Sequence, residues 1–156
     1  MKSYKYKIGV TLVEMLIVLA IITLLASVVI GMATRIDNQS KGKGLQDTFA
    51  MLESALEEYR EYTNRFPDGV AFDPNANSEM LYEALYSRPG SRKILEKINS
   101  SLIMDKGGMP DMPEIYDPWG KVLDYRYDNS SNTYPELISA GPDKSFGNAD
   151  DISSKK

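Results

Sequence analysis

The sequence predicts an α+β protein. A long N-terminal helix, membrane-spanning in its first half and amphipathic in its second, packs on a small antiparallel β-sheet. Three observations predict it. From Met15 to Ala33 run 19 uncharged residues, dominated by Leu, Ile, Val and Ala. Leu45, Phe49, Leu52, Leu56, Tyr59 and Tyr62 then recur at spacings of three and four, which is one stripe on a helix. Residues 121–127, KVLDYRY, alternate, with Leu123, Tyr125 and Tyr127 on one face of a strand and Val122, Asp124 and Arg126 on the other.

The apolar run comes first. A spanning helix needs about 20 apolar residues, whereas a secretory signal has a core of roughly 7–15 followed by a small-x-small cleavage site. Here Ala26-Ser27 lies inside the run, not beyond it. An anchor over residues 10–33 is expected, with a domain over 34–156. Lys2, Lys5 and Lys7 precede the run, and Arg35, Lys41 and Lys43 follow it, so flanking charge gives no orientation. The short leading tail places the N-terminus in the cytoplasm and the domain outside.

The helix is expected to continue from near Val10 to about Tyr62, roughly 80 Å at 1.5 Å per residue. Its polar face carries Glu53, Glu57, Glu58, Arg60 and Glu61, and Gly31, Gly42 and Gly44 are its weak points. "NRFPDG", residues 64–69, ends it, since Pro67 disfavours a helical Phe66. Ser78 can cap a short helix to Tyr86, with Leu81 and Leu85 inward. Pro89-Gly90 breaks that helix, and Ser91 can cap another that turns Ile94, Leu95 and Ile98 inward. Residues 105–116, with two Gly and two Pro, read as an irregular loop. Asp117-Pro118-Trp119-Gly120 is a turn into the strand, with Trp119 in the core or at its rim. "DNSSN", residues 128–132, turns the chain, and Leu137–Ala140 return as the partner strand with Pro135 at its start.

Composition narrows the chemistry. The 156 residues suffice for one small domain with an appendage, and they include no Cys and no His. That removes disulfides, thiolate metal sites, Cys nucleophiles and the commonest general base. The formal net charge is −4, and beyond residue 33 there are 15 basic and 21 acidic residues, so no nucleic-acid partner is expected. No constellation for catalysis stands out, and the chain is not expected to be an enzyme.

Glu14 is the single charge within "VTLVEMLIVLAIITLLASVVIG". A carboxylate there can snorkel from the first helical turn, where the macrodipole favours an anion. It can instead pair with a cation at membrane depth, where each unpaired charge costs about 2.5–3.5 kcal/mol near mid-bilayer. The context is specific: a short basic leader, Gly9, an apolar residue, Glu14 five positions after the Gly, then an unbroken apolar helix. This resembles the prepilin leader shared by type IV pilins and the pseudopilins of type II secretion. The resemblance implies that a membrane prepilin peptidase removes residues 1–9, cutting between Gly9 and Val10, and N-methylates Val10. It also implies that Glu14 pairs with the Val10 amine of a neighbouring subunit during assembly.

The C-terminal stretch "LISAGPDKSFGNADDI", residues 137–152, crowds Asp143, Asp150 and Asp151 into a loop with Gly141 and Gly147. Hard oxygen ligands suit Ca²⁺, although this is no EF-hand and a solvated acidic loop has the same composition. "DPWG", an aromatic strand and then "LISAGPD…DDI" resemble the end of the major, G-type pseudopilins. That resemblance implies a structural Ca²⁺ held by Asp143, Asp150 and Asp151, with Ala140 and Ser145 contributing oxygens. It spans residues 7–67 and 117–152; the segment 70–115 matches less well.

Taken together, these residues imply a pilin-like structural subunit of a type II secretion pseudopilus. It would be a single-pass protein of the bacterial inner membrane that polymerises into a helical fibre and pushes folded proteins across the outer membrane. Its implied partners are copies of itself, minor pseudopilins, the peptidase and the inner-membrane assembly platform. The alternative is a type IV pilus or competence pilin subunit.

Overall fold

The computed structural model describes residues 11–69, 73–105, 112–128 and 133–155. The chain divides into two compact units, Met1–Gln39 and Ser40–Lys156. It is α+β, with helices α1 (Leu12–Thr63), α2 (Pro74–Tyr86) and α3 (Pro89–Leu95). Five short strands follow: β1 (Ile103–Met104), β2 (Glu114–Ile115), β3 (Asp124–Arg126), β4 (Glu136–Ser139) and β5 (Ile152–Ser153).

In the first unit, α1 is apolar around its circumference over residues 15–33. Its hydroxyls satisfy themselves within the helix: Thr23 donates to the Ala20 carbonyl at 2.9 Å, Ser27 to Leu24 at 2.7 Å and Thr34 to Gly31 at 3.1 Å. Gly31, Gly42 and Gly44 lie inside the helix without interrupting it.

In the second unit, α1 turns Leu45, Thr48, Phe49, Leu52, Ala55 and Leu56 into the core. The expected stripe runs out at Tyr62, which is 69% exposed. The helix ends at Thr63 because Asn64 adopts φ 57° and donates its N–H to the Arg60 carbonyl at 2.8 Å. An Asn in the left-handed region at this place is a C-terminal cap. Phe66 and Pro67 turn back into the core, where the Pro67 carbonyl accepts the Tyr125 hydroxyl at 2.9 Å.

Two helix caps differ from expectation. Asp73, not Ser78, caps α2, accepting the N–H groups of Asn75 and Ala76, and Pro74 occupies the first turn. Ser78 lies inside the helix and accepts the Ile115 N–H at 2.8 Å, which anchors β2. Pro89 opens α3 and does not simply break the chain; Ser91 is buried and donates to the Leu85 carbonyl at 2.6 Å. In both places a Pro at the first helical position outweighs the Ser signal. Leu81, Leu85, Leu95 and Ile98 are buried as expected, and Ile94 packs against them.

The segment read as an irregular loop holds β2, which pairs antiparallel with β1 in the register Ile103↔Ile115 and Met104↔Glu114. A two-residue strand shows no alternation to detect. The second sheet has the order β3-β4-β5 and is antiparallel throughout. Tyr125 faces Leu137, and Ser139 pairs with Ile152. Leu123 and Tyr125 are buried, but so are Val122 and Asp124, because this strand is covered on both sides. Buried Asp124 is held by the Asn77 amide at 3.0 Å and by Arg126 at 2.6 Å. Trp119 joins the core, and Pro135 is buried just ahead of β4.

Candidate functional site

The first site is the start of α1. Gly9 and Val10 lie outside the described residues. Thr11 and Glu14 form a reciprocal pair: the Glu14 N–H donates to Thr11 Oγ1 at 3.2 Å, and the Thr11 N–H donates to Glu14 Oε2 at 3.4 Å. This is a capping box, T-x-x-E, which satisfies two donors that a helix start leaves unbonded. Glu14 therefore has an acceptor role within its own chain. The T-x-x-E spacing is legible in the sequence as "TLVE".

On either side of Glu14, the large apolar side chains from Leu12 to Ile36 range from 46% exposed at Val18 to 80% exposed at Leu12. A surface of that kind needs lipid or other helices to cover it. Among the described residues, one helix, α1, is long and apolar enough to cross a membrane.

The second site is the loop after β4. It starts from a buried relay. Asp117 Oδ1 accepts the N–H groups of Trp119 at 3.0 Å and Lys121 at 2.9 Å. Its Oδ2 accepts the Ser139 hydroxyl at 2.7 Å, and Ser139 Oγ accepts the Gly141 N–H at 3.1 Å. The D-P-W-G turn thus fixes the first residues of the loop. Gly141 has φ 66° and its Cα abuts the Asp150 carbonyl, leaving no room for a Cβ. The two ends of the loop close on each other there.

Inside the loop the acids accept N–H donors. Asp150 Oδ2 accepts the Asp143 N–H at 3.2 Å, Asp143 Oδ1 accepts the Ser145 N–H at 2.8 Å, and Asp151 Oδ2 accepts the Gly147 N–H at 2.7 Å. The Asn148 amide donates to both Asp143 Oδ2 and the Ser145 carbonyl, each at 2.8 Å. Asp151 Oδ1 is buried with no hydrogen-bond partner. The candidate ligands are all oxygens, and one of them is orphaned. Among the described residues no three carboxylates are gathered around one point. Sequence reasoning singled out the acids and missed Asn148, Asp117 and Ser139, whose roles exist only through the fold.

Two comparisons with known proteins bear on the chain. The model for the prokaryotic N-terminal methylation motif matches residues 4–30. The type II secretion system core protein G of Escherichia coli strain K12 is 31% identical over 145 residues, covering 92% of this chain and 88% of that protein. No solved structure matches the chain. With the methylation motif at its start and similarity running nearly end to end, the chain belongs to the family of type II secretion system core protein G, the G-type pseudopilins.

Proposed function

We propose that this chain is the repeating structural subunit of a type II secretion pseudopilus. The observation that carries the reading is the similarity to core protein G across 92% of the chain. The role is mechanical, not enzymatic. Before assembly the apolar half of α1 anchors the subunit in the inner membrane, with the N-terminus cytoplasmic and the domain periplasmic. The prepilin peptidase removes residues 1–9 and methylates Val10. In the fibre the exposed apolar helix surface packs on neighbouring helices, and Glu14 exchanges its own cap for the Val10 amine of the next subunit. Minor pseudopilins and the assembly platform are the remaining partners.

Calcium is part of the same reading. Asp143, Asp150 and Asp151 would hold it, with oxygens of Ala140 and Ser145; the orphaned Asp151 Oδ1 supports this. The ion would supply only charge compensation and cross-linking of the loop.

The test is intact mass on protein extracted from native membranes. The expected species starts at Val10 and carries one methyl group. A mature species that retains residues 1–9 would contradict the reading.

A further inference from the structure

In the globular unit, Arg88 and Arg92 each lie over a tyrosine. The Arg88 guanidinium carbon stands 4.9 Å from the Tyr62 ring centroid, and that of Arg92 stands 4.2 Å from the Tyr86 centroid. Tyr82 stacks on Tyr86, with centroids 5.6 Å apart and planes 13° from parallel. The Arg92 backbone N–H donates to the Arg88 carbonyl at 2.9 Å, which sets the two arginines one helical turn apart, and Arg92 Nε donates to the Tyr86 carbonyl at 2.6 Å. Stacking holds both side chains in advance, which reduces the entropy lost when they bind. Both arginines are half-buried, yet among the described residues neither forms an ion pair, and Arg88 Nε is buried without a hydrogen bond. Tyr62 and Tyr86 are exposed beside them. Tyrosine and arginine together are the composition of an interface centre.

Charge identifies the occupant. From Arg88 to Lys97 stand Arg88, Arg92, Lys93 and Lys97 against a single acid, Glu96. Beyond residue 33 as a whole, 15 basic residues face 21 acidic ones. Copies of so acidic a domain repel one another unless unpaired cations meet carboxylates where they touch. Two copies of the arginine face would also repel, so the contact joins unlike surfaces and propagates head to tail. We propose that the Arg88–Arg92 face, backed by Tyr62 and Tyr86, docks on surface carboxylates of a second copy of this chain and is a contact along the fibre. This rests on the pseudopilus reading above.

The test uses the full chain assembled into fibres in host cells. Arg88→Glu combined with Arg92→Glu should lower the yield of sheared fibres at least roughly tenfold, with the membrane level and mature mass unchanged. Normal yield overturns the proposal; normal yield with release of exported proteins lost gives the face to a different partner and overturns it as well. A wild type that forms no fibres overturns the pseudopilus reading and the proposal with it. If the charge-reversed variant does not fold, Arg92→Lys keeps the charge and places an amine on the face. Carbodiimide then couples that amine to a carboxylate in direct contact. The expected result is a link through position 92 in the covalent dimer band and not in the monomer band. Dimers joined only elsewhere, or none beside intact fibres, overturn the proposal.

Discussion

Glu14 and Thr11 cap each other: each accepts the other's backbone N–H, at 3.4 Å and 3.2 Å. The carboxylate that the family reading assigns to assembly is therefore occupied within the single subunit. On the proposed reading, assembly would exchange one partner for another and would not rescue a carboxylate that has none.

Glu14→Gln separates the two roles. Gln serves in a capping box as Glu does, so helix content and membrane insertion should be unchanged. The variant cannot neutralise an ammonium, and an unpaired one costs about 2.5–3.5 kcal/mol near mid-bilayer. Fibre yield, measured by shearing and immunoblotting, should fall at least about tenfold. Normal fibres would mean that capping is all Glu14 does.

Asp117→Ala should be strongly destabilising to the globular unit. It removes the acceptor shared by the Trp119 and Lys121 N–H groups and the acceptor of the Ser139 hydroxyl, stranding those donors around a position that is 1% exposed. Orphaning buried donors costs about 1–3 kcal/mol each, so a loss of roughly 3 kcal/mol or more is expected. Denaturant unfolding of the full chain in detergent, followed by circular dichroism, measures it.

Gly141→Ala and Gly120→Ala form a matched pair. Both positions have positive φ, 66° and 85°, which strains an alanine by about 1–2 kcal/mol. Nothing lies near a Cβ at Gly120, whereas one at Gly141 meets the Asp150 carbonyl, a backbone atom. Gly141→Ala should cost about 1 kcal/mol more than Gly120→Ala and should also weaken cation binding. Equal losses would mean that the loop ends are free to separate.

Calcium should raise the melting temperature of the full chain relative to chelator. A ligand bound only by the folded state adds about 2.7 kcal/mol at a hundredfold excess over Kd. Mg²⁺ should substitute poorly, because it demands near-ideal octahedral geometry and sheds water reluctantly. Asp150→Ala should remove most of the calcium increment. Equal melting in calcium and chelator would leave the loop a hydrogen-bonded turn.

Alkaline pH should unfold the globular unit between about pH 10 and 12. Burial, reinforced by the hydrogen bond to Glu114, pushes Tyr116 from 10.0 up to about 12. Burial and the nearby Glu57 carboxylate push Tyr134 from 10.0 to about 12 as well. Burial raises Tyr125 further still. A raised folded-state pKa means that the proton is held more tightly in the native state. The stability is fully present below the unfolded value of about 10 and is lost as pH climbs toward the folded values. Tyrosinate absorbance and circular dichroism should change together; tyrosinate appearing before unfolding would mean that these rings are open to water.

Much of the fold was legible because its signals are long. The apolar run and the Leu45–Leu56 stripe each cover several helical turns, and the aromatic alternation around Tyr125 marks β3. Where signals are short, competing ones decided. Ser78 and Ser91 look like caps, yet Pro74 and Pro89 start those helices, and both serines bond buried backbone instead. β2 and β5 have two residues each and were invisible to any period. At the loop the acids could be named from composition. Their bonding could not, since the Asp117–Ser139 pair that fixes Gly141 forms only once β4 and the turn are in place, and Asn148 reaches Asp143 only in the folded loop.

The most direct measurement is secretion by a host strain lacking this gene, with and without the gene returned. The account predicts that exported enzymes accumulate in the periplasm of the deletion strain, and that wild type restores their release while Glu14→Gln does not. Unimpaired release from the deletion strain, with pilus-dependent adhesion or DNA uptake lost instead, would contradict it.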